Sequence, residues 1–168
     1  MVNNSFVNTF DYVSLIKTLR GIVKQFTGYQ LIERESAGSP EHYPFFSYSF
    51  LNDHIDVTSD RTADGTFELV LSITCLDDDS LRVKTEANRL RAVFESYQVH
   101  ELLAKRAVSV VDITSSGSRN AFKGLDDYYS INYERRAGFD MRLRVEEHAD
   151  EEDVLGVIET IDLENQED

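Results

Sequence analysis

The chain is short of the residues that staple, interrupt or anchor a fold. Its 168 residues include one cysteine, two prolines and no tryptophan. A single cysteine, Cys75, excludes an intramolecular disulfide. No run approaches the ~18–20 apolar residues that a bilayer crossing requires, and Met1-Val2-Asn3-Asn4-Ser5-Phe6 lacks the basic and apolar regions of a secretory signal. No internal repeat, Pro-rich linker or Gly/Ser-rich spacer divides the chain, so one domain is expected over 1–150, followed by an arm over 151–168. A chain of this size buries about 70% of its unfolded surface, enough for a core without staples.

Basic residues are missing from one end altogether. Residues 1–145 hold 20 acids and all 17 bases, whereas residues 146–168 hold 11 acids and no base. The body is nearly balanced, and the tail carries the acidity behind the net charge of −14. Nothing here offers a basic stripe to a phosphate backbone, which argues against sequence-specific nucleic-acid binding. The plain reading of the tail is a solubilising arm.

Catalytic signatures are also lacking. His42, His54, His100 and His148 are scattered without a partner at metal-ligand spacing. Cys75 sits in phase with a buried strand face and reads as a small core residue. Asp77-Asp78-Asp79 could hold a divalent cation, but helix capping explains the run without one. No nucleophile elbow, phosphate-cradling loop or zinc pattern occurs. No cofactor is expected.

What remains is periodicity. Tyr12, Leu15, Ile16, Leu19, Ile22, Val23 and Phe26 form a helical stripe, with Asp11 before it and Gly28 as its stop. A short apolar piece at Gln30–Ile32 and a turn-rich stretch from Glu35 to Pro44 follow. Phe46, Tyr48 and Phe50 alternate as in a strand, as do Phe67, Leu69, Leu71, Ile73 and Cys75 after a turn at Asp60–Gly65. These two strands predict an antiparallel hairpin with a polar tip. Asp77–Ser80 opens a second helix, whose stripe is Val83, Ala87, Leu90, Phe94 and Tyr97, and Val99, Leu102 and Leu103 suggest a short third. Val108–Ile113 reads as a strand ended by Ser115-Ser116-Gly117-Ser118. The segment Ser115–Asp127, with Arg119 and Lys123, then reads as a basic loop, either a plain connector or a surface docking on an acidic partner or lining a lumen.

From Ile131 to Val145 the alternation never changes phase: odd positions are mostly apolar, even positions polar. A two-residue turn would shift that parity, so one long strand is expected, bent if anywhere at Ala137-Gly138. At ~3.3 Å per residue it would span about 50 Å and overhang its sheet, leaving an edge for a neighbour. Arg135 falls in the inward phase. Either a carboxylate pairs with it, or that part of the strand lies beyond the core at an interface.

The order of these elements, with Pro44-Phe45-Phe46-Ser47-Tyr48-Ser49-Phe50 and Tyr133-Glu134-Arg135-Arg136-Ala137-Gly138-Phe139-Asp140, resembles the neck-terminator or tail-completion (tail terminator) proteins of tailed bacteriophages over most of residues 10–145. The resemblance implies an α+β domain, a mostly antiparallel sheet with two main helices on one face, a long C-terminal strand and the acidic tail. It implies a non-enzymatic virion protein, made in the bacterial cytoplasm and placed in the tail neck. Such proteins form a ring, usually a hexamer, that caps the tail tube and joins the head connector or stopper protein, while DNA passes through unread. By motif position, Arg135, Arg136, Phe139 and Asp140 become candidates for subunit contacts. Val154–Leu163, too apolar for a purely solvated tail, is expected to add as a strand to its own sheet or a neighbour's. The competing readings are a monomeric adaptor or other neck component that binds a protein by strand addition, and a carboxylate-dependent hydrolase.

Overall fold

A computed structural model describes residues 10–34, 42–57, 65–127 and 130–146, the side chains of 118–133 excepted. Residues 35–41 of the turn-rich stretch expected at Glu35–Pro44, residues 60–64 of the turn expected at Asp60–Gly65, His148, and the arm at 151–168 with Val154–Leu163 lie outside the described residues.

Helix α1 spans Tyr12–Thr27. The Asp11 carboxylate caps it by accepting from the amides of Val13 (2.9 Å) and Ser14 (3.2 Å). Gly28, at φ 78°, ends it in the left-handed conformation open to glycine. Helix α2 spans Ser80–Phe94 and is capped by Asp79, which accepts from the amides of Leu81 and Arg82 at 2.8 and 2.9 Å. Tyr97 does not continue its stripe. The helix stops at Phe94, Ser96 caps a new helix α3 (Tyr97–Ala104), and Tyr97 is 82% exposed at its start.

The strands are β1 (Leu31–Glu33), β2 (Phe45–Asp56), β3 (Thr66–Asp77), β4 (Val108–Asp127) and β5 (Ser130–Glu146), in the sheet order β1-β2-β3-β5-β4. Only β1–β2 is parallel; the other three pairings are antiparallel. The α+β architecture is thus as expected, with one parallel edge strand. Phe67, Leu69, Leu71, Ile73 and Cys75 stand opposite Val145, Leu143, Met141, Phe139 and Ala137, and all ten are buried. Onto this face pack Leu15, Leu19, Ile22 and Val23 of α1, Val83, Ala87, Leu90 and Phe94 of α2, and Val99 and Leu103 of α3. Helix α2 crosses β3 and β5, α1 lies against β1 and α2, and α3 sits beside β4.

Two expectations fail, and both failures bear on function. The segment Ser115–Asp127 is not a loop: β4 runs unbroken from Val108 to Asp127 along β5, carrying Arg119 opposite Arg136 and Lys123 between Phe122 and Gly124. The Ser-Gly cluster that reads as a stop is a bulge. Register slips between Ser115 and Gly117, where Gly117 has φ 78°, a backbone state that glycine adopts without a Cβ penalty. Secondly, β5 is one continuous strand, as the unbroken phase predicts, but it is no edge. It lies between β3 and β4, and β4 is the edge on that side. The overhang is real in another form. β3 accompanies β5 only from Glu146 to Arg135, whereas β4 accompanies it to the rung Asp127↔Ser130. A two-stranded arm therefore continues past the end of β3 by five β5 residues, roughly 17 Å at ~3.3 Å each.

Candidate assembly interface

The helices cover one face of the sheet; on the other, no described helix lies. The even positions of β5, which alternate away from the core, present Glu134, Arg136, Gly138, Asp140, Arg142 and Arg144 there. Register brings Glu68, Ser72, Thr74 and Leu76 of β3 beside them. Glu68, 7% exposed, joins two of the arginines: it bonds Arg144 at 2.8 Å and lies 3.4 Å from Arg142. Glu134 does the same work at the other end. It accepts from Arg136 Nε at 2.7 Å and from the Tyr43 hydroxyl at 2.7 Å, tying the segment before β2 to the root of the arm. Tyr43 in turn stacks on Phe45, with ring centroids 5.6 Å apart.

Between these two ion-pair groups the face is hollow. Gly117 of β4 stands opposite Gly138 of β5, and with no side chain from either, a cavity of about 310 Å³ opens between Arg34, Arg136, Asp140, Ser72 and Thr74. Gly138 is required by contact, not only by the hollow. A Cβ there would lie 2.2 Å from the Ile73 carbonyl oxygen and 2.9 Å from Thr74 Cα, both backbone atoms that cannot step aside. Arg34 reaches across to donate to the Thr74 hydroxyl at 3.1 Å. Asp140 is different: among the described residues its buried Oδ1 meets no hydrogen-bond donor, and Ser49 Oγ, on the same cross-strand row through Ser72, likewise has no partner there. Buried polar atoms are nearly always satisfied, which sets these two apart from the rest of the face.

The residues expected to meet a partner therefore divide. Arg136 and Asp140 line the same open-face cavity. Arg135 lies on the opposite side of the strand, half-buried, facing Asp77 at the last rung that β3 shares with β5. It sits at the border of the core, beside a carboxylate. Phe139 is a correction: it is 1% exposed beneath Phe94, with ring centroids 6.2 Å apart, and belongs to the core. Arg119 and Lys123 lie on β4, the first within the sheet and the second on the arm. Arg34, Ser72, Thr74 and Gly117 were invisible to sequence reasoning, because only the strand order brings them together. The polar even phase of β5 was the one signal available.

The acidic run at the start of α2 is structural. Asp77 is fully buried, and its carboxylate accepts from the Arg82 guanidinium and, at 2.7 Å, from the Asp78 amide. Burial alone would raise its pKa, but the bonds from Arg82 and from Asp78 and Asp79 outweigh that and hold it at about 2. Cys75, under the helices, is pushed up to about 12, chiefly by burial and then by the charges of Asp77 and Glu86. A thiol held protonated is a poor nucleophile. Among the described residues no three metal-ligating side chains gather, and no helix is long and apolar enough to cross a membrane. The helix-free face thus holds arginines bonded to carboxylates, a glycine-lined hollow and, in Asp140 Oδ1, an acceptor without a donor among the described residues.

Comparison with curated proteins returns no match. A family profile described as phage neck terminator protein matches residues 14–168, all but the first thirteen of the chain, and covers α1 from Ser14 onward, the whole sheet and the β4–β5 arm. The chain thus belongs to the phage neck terminator family, as a structural protein of the tail neck.

Proposed function

We propose that the chain assembles into a ring, expected to be a hexamer, at the head-proximal end of the tail, capping the tail tube and joining it to the head connector. The observation that carries this reading is the division of labour in the sheet. One face is sealed by three helices, while the other keeps unsatisfied acceptors around a hollow, and an arm extends past the body. A ring of identical copies needs two different, complementary patches on each copy, and a hollow and an arm are two such patches. The acidity suits a wall past which DNA slides without sticking, like charge repelling like. Membership of a phage neck protein family supports a role in assembly rather than catalysis.

Strand addition to a monomeric adaptor is a weaker reading. Of the two edge strands β1 has three residues, and the long one, β4, slips register at four places, between Val110 and Asp112, Ser115 and Gly117, Phe122 and Gly124, and Leu125 and Asp127. Bulges at that frequency blunt an edge against a continuous added strand.

Deleting the gene from the phage and imaging the lysate tests the ring reading. Heads without joined tails, and tail tubes of uncontrolled length, are the expected products. Normal joined virions would overturn it.

A further inference from the structure

Of the three described helices, α1 alone contains no acid. Its charged residues are Lys17, Arg20 and Lys24, all exposed, and steps of three and four place them on one face, turned away from the buried Leu15, Leu19, Ile22 and Val23. Folding thus gathers cations that the sequence spreads among apolar residues. Arg20 lies over the Tyr48 ring, 5.9 Å from its centroid, and Lys24 donates to the Gly28 carbonyl at 3.1 Å. Among the described residues none of the three forms an ion pair. Arg106, half-buried at the turn before β4, joins them from the flank. Its guanidinium donates to the Thr18 hydroxyl of α1, no described carboxylate bonds it, and burial works against its charge.

The acids placed nearby do not cancel this charge. Asp11, taken up by the amides of Val13 and Ser14, and Asp53, whose carbonyl accepts from the Tyr12 hydroxyl, lie at the start of the helix, more than a turn before Lys17. Glu86 of α2 lies 3.7 Å from Arg89. Along the row itself the described acid at hand is Glu33, beside Tyr48 in the β1–β2 ladder. Opposite charge in quantity comes from the chain past β5. Glu146, the last residue of β5, donates its amide to the Ala107 carbonyl at 3.0 Å, next to Arg106, so the chain leaves the described body beside α1. Residues 147–168 hold ten acids and no base. With 16 residues, α1 is about 24 Å long, a length that roughly eight extended residues cover.

We infer that residues 147–168 lie along the cationic face of α1 in the same chain, their carboxylates meeting Lys17, Arg20 and Lys24. The net charge of −14 repels a phosphate backbone at range, which favours an acidic segment of protein as the occupant. Tethering beside the row gives this segment a high effective concentration over any free competitor. The contact is exposed and electrostatic, so salt screens it. It stands whether or not the ring forms.

Zero-length carbodiimide coupling of the full chain tests it, since the reagent joins a lysine amine to a carboxylate only where the two touch. In low salt the acids of 147–168 should couple to Lys17 and Lys24 several-fold more than to Lys84, an exposed lysine on α2 near the end of β3 farthest from Glu146. About 1 M salt should erase that preference. Arg20→Glu keeps both lysines and reverses the charge between them. Coupling should then fall several-fold at an unchanged melting temperature, and Arg20→Lys should retain it. Coupling to Lys84 equal to that at Lys17 and Lys24, or coupling in Arg20→Glu equal to the wild type, would overturn the contact. In an equal mixture of isotopically heavy and light chains each joined peptide pair should carry a single label. Pairs carrying both labels in about half of the cases would overturn the same chain as occupant and put a second copy in its place.

Discussion

The two faces of the sheet are made by the same strands, residue by residue in alternation, yet they do opposite things. Odd positions of β3 and β5 meet helices and are sealed; even positions of β5 hold arginines, an aspartate and a glycine around a hollow. On the sealed face a side chain acts through volume, because a packed interior has no slack. On the open face it acts through charge and hydrogen bonding in partial contact with water, where single pairs contribute little to folding. Apolar packing and polar contacts are thus assigned to different sides of one strand.

The contrast can be broken most forcefully from the sealed side. Phe139→Ala should cost about 3–5 kcal/mol, since it empties a space between Phe94 and Ile73 that helices cannot close. Chemical denaturation would check this, with Arg142→Ala on the open face as the counterpart, expected to lose less than about 1 kcal/mol. Equal losses at both would erase the distinction between the faces. Gly138→Ala is next, at about 1–3 kcal/mol, because the added Cβ would meet the Ile73 carbonyl at 2.2 Å. A neutral melting temperature there would show that β3 and β5 can separate locally.

Acid sharpens the same comparison at the end of β3. Asp77 is held at about 2 against an ordinary 3.8, so on acidification the unfolded chain takes up the proton first. Its contribution, on the order of 2 kcal/mol, is intact above about pH 4 and gone once pH falls through about 2. Asp77→Asn should therefore lie below the wild type at neutral pH and converge on it toward pH 2. Parallel curves would contradict the buried carboxylate. A smaller effect, about 1 kcal/mol, belongs to Glu68→Gln, because Arg142 and Arg144 remain half-exposed and regain water when their acceptor weakens.

Much of the fold was legible because its elements obey simple periods. The α1 stripe, the β2 and β3 alternations and the unbroken phase of β5 each survive in the structure, and Asp11, Asp79 and Gly28 take the end positions their chemistry suits. β4 was not legible for a physical reason. Four bulges break its parity, and Ser115-Ser116-Gly117-Ser118 has the composition of a turn, although Gly117 uses its φ of 78° to bend a strand that continues. Strand order was equally hidden, since β3 and β5 pair across the intervening α2, α3 and β4. Of the candidate contacts, Arg136 and Asp140 come together at the hollow, whereas Phe139 shows that membership of a motif can reflect core packing. Arg34 and Gly117 reach the hollow only through that pairing.

One measurement reaches the heart of the division between folding and assembly. Residues 121–134 would be replaced by a tight two-residue turn joining Asn120 to Arg135, a pair already opposite in the β4–β5 ladder. Light scattering and thermal melting would then be read on the same sample. The expected result is a melting temperature close to that of the intact chain and a mass of about one monomer, where the intact chain gives a several-fold multiple of 19.2 kDa. A shortened chain that keeps the full multiple, or one that loses its fold along with the arm, would contradict it.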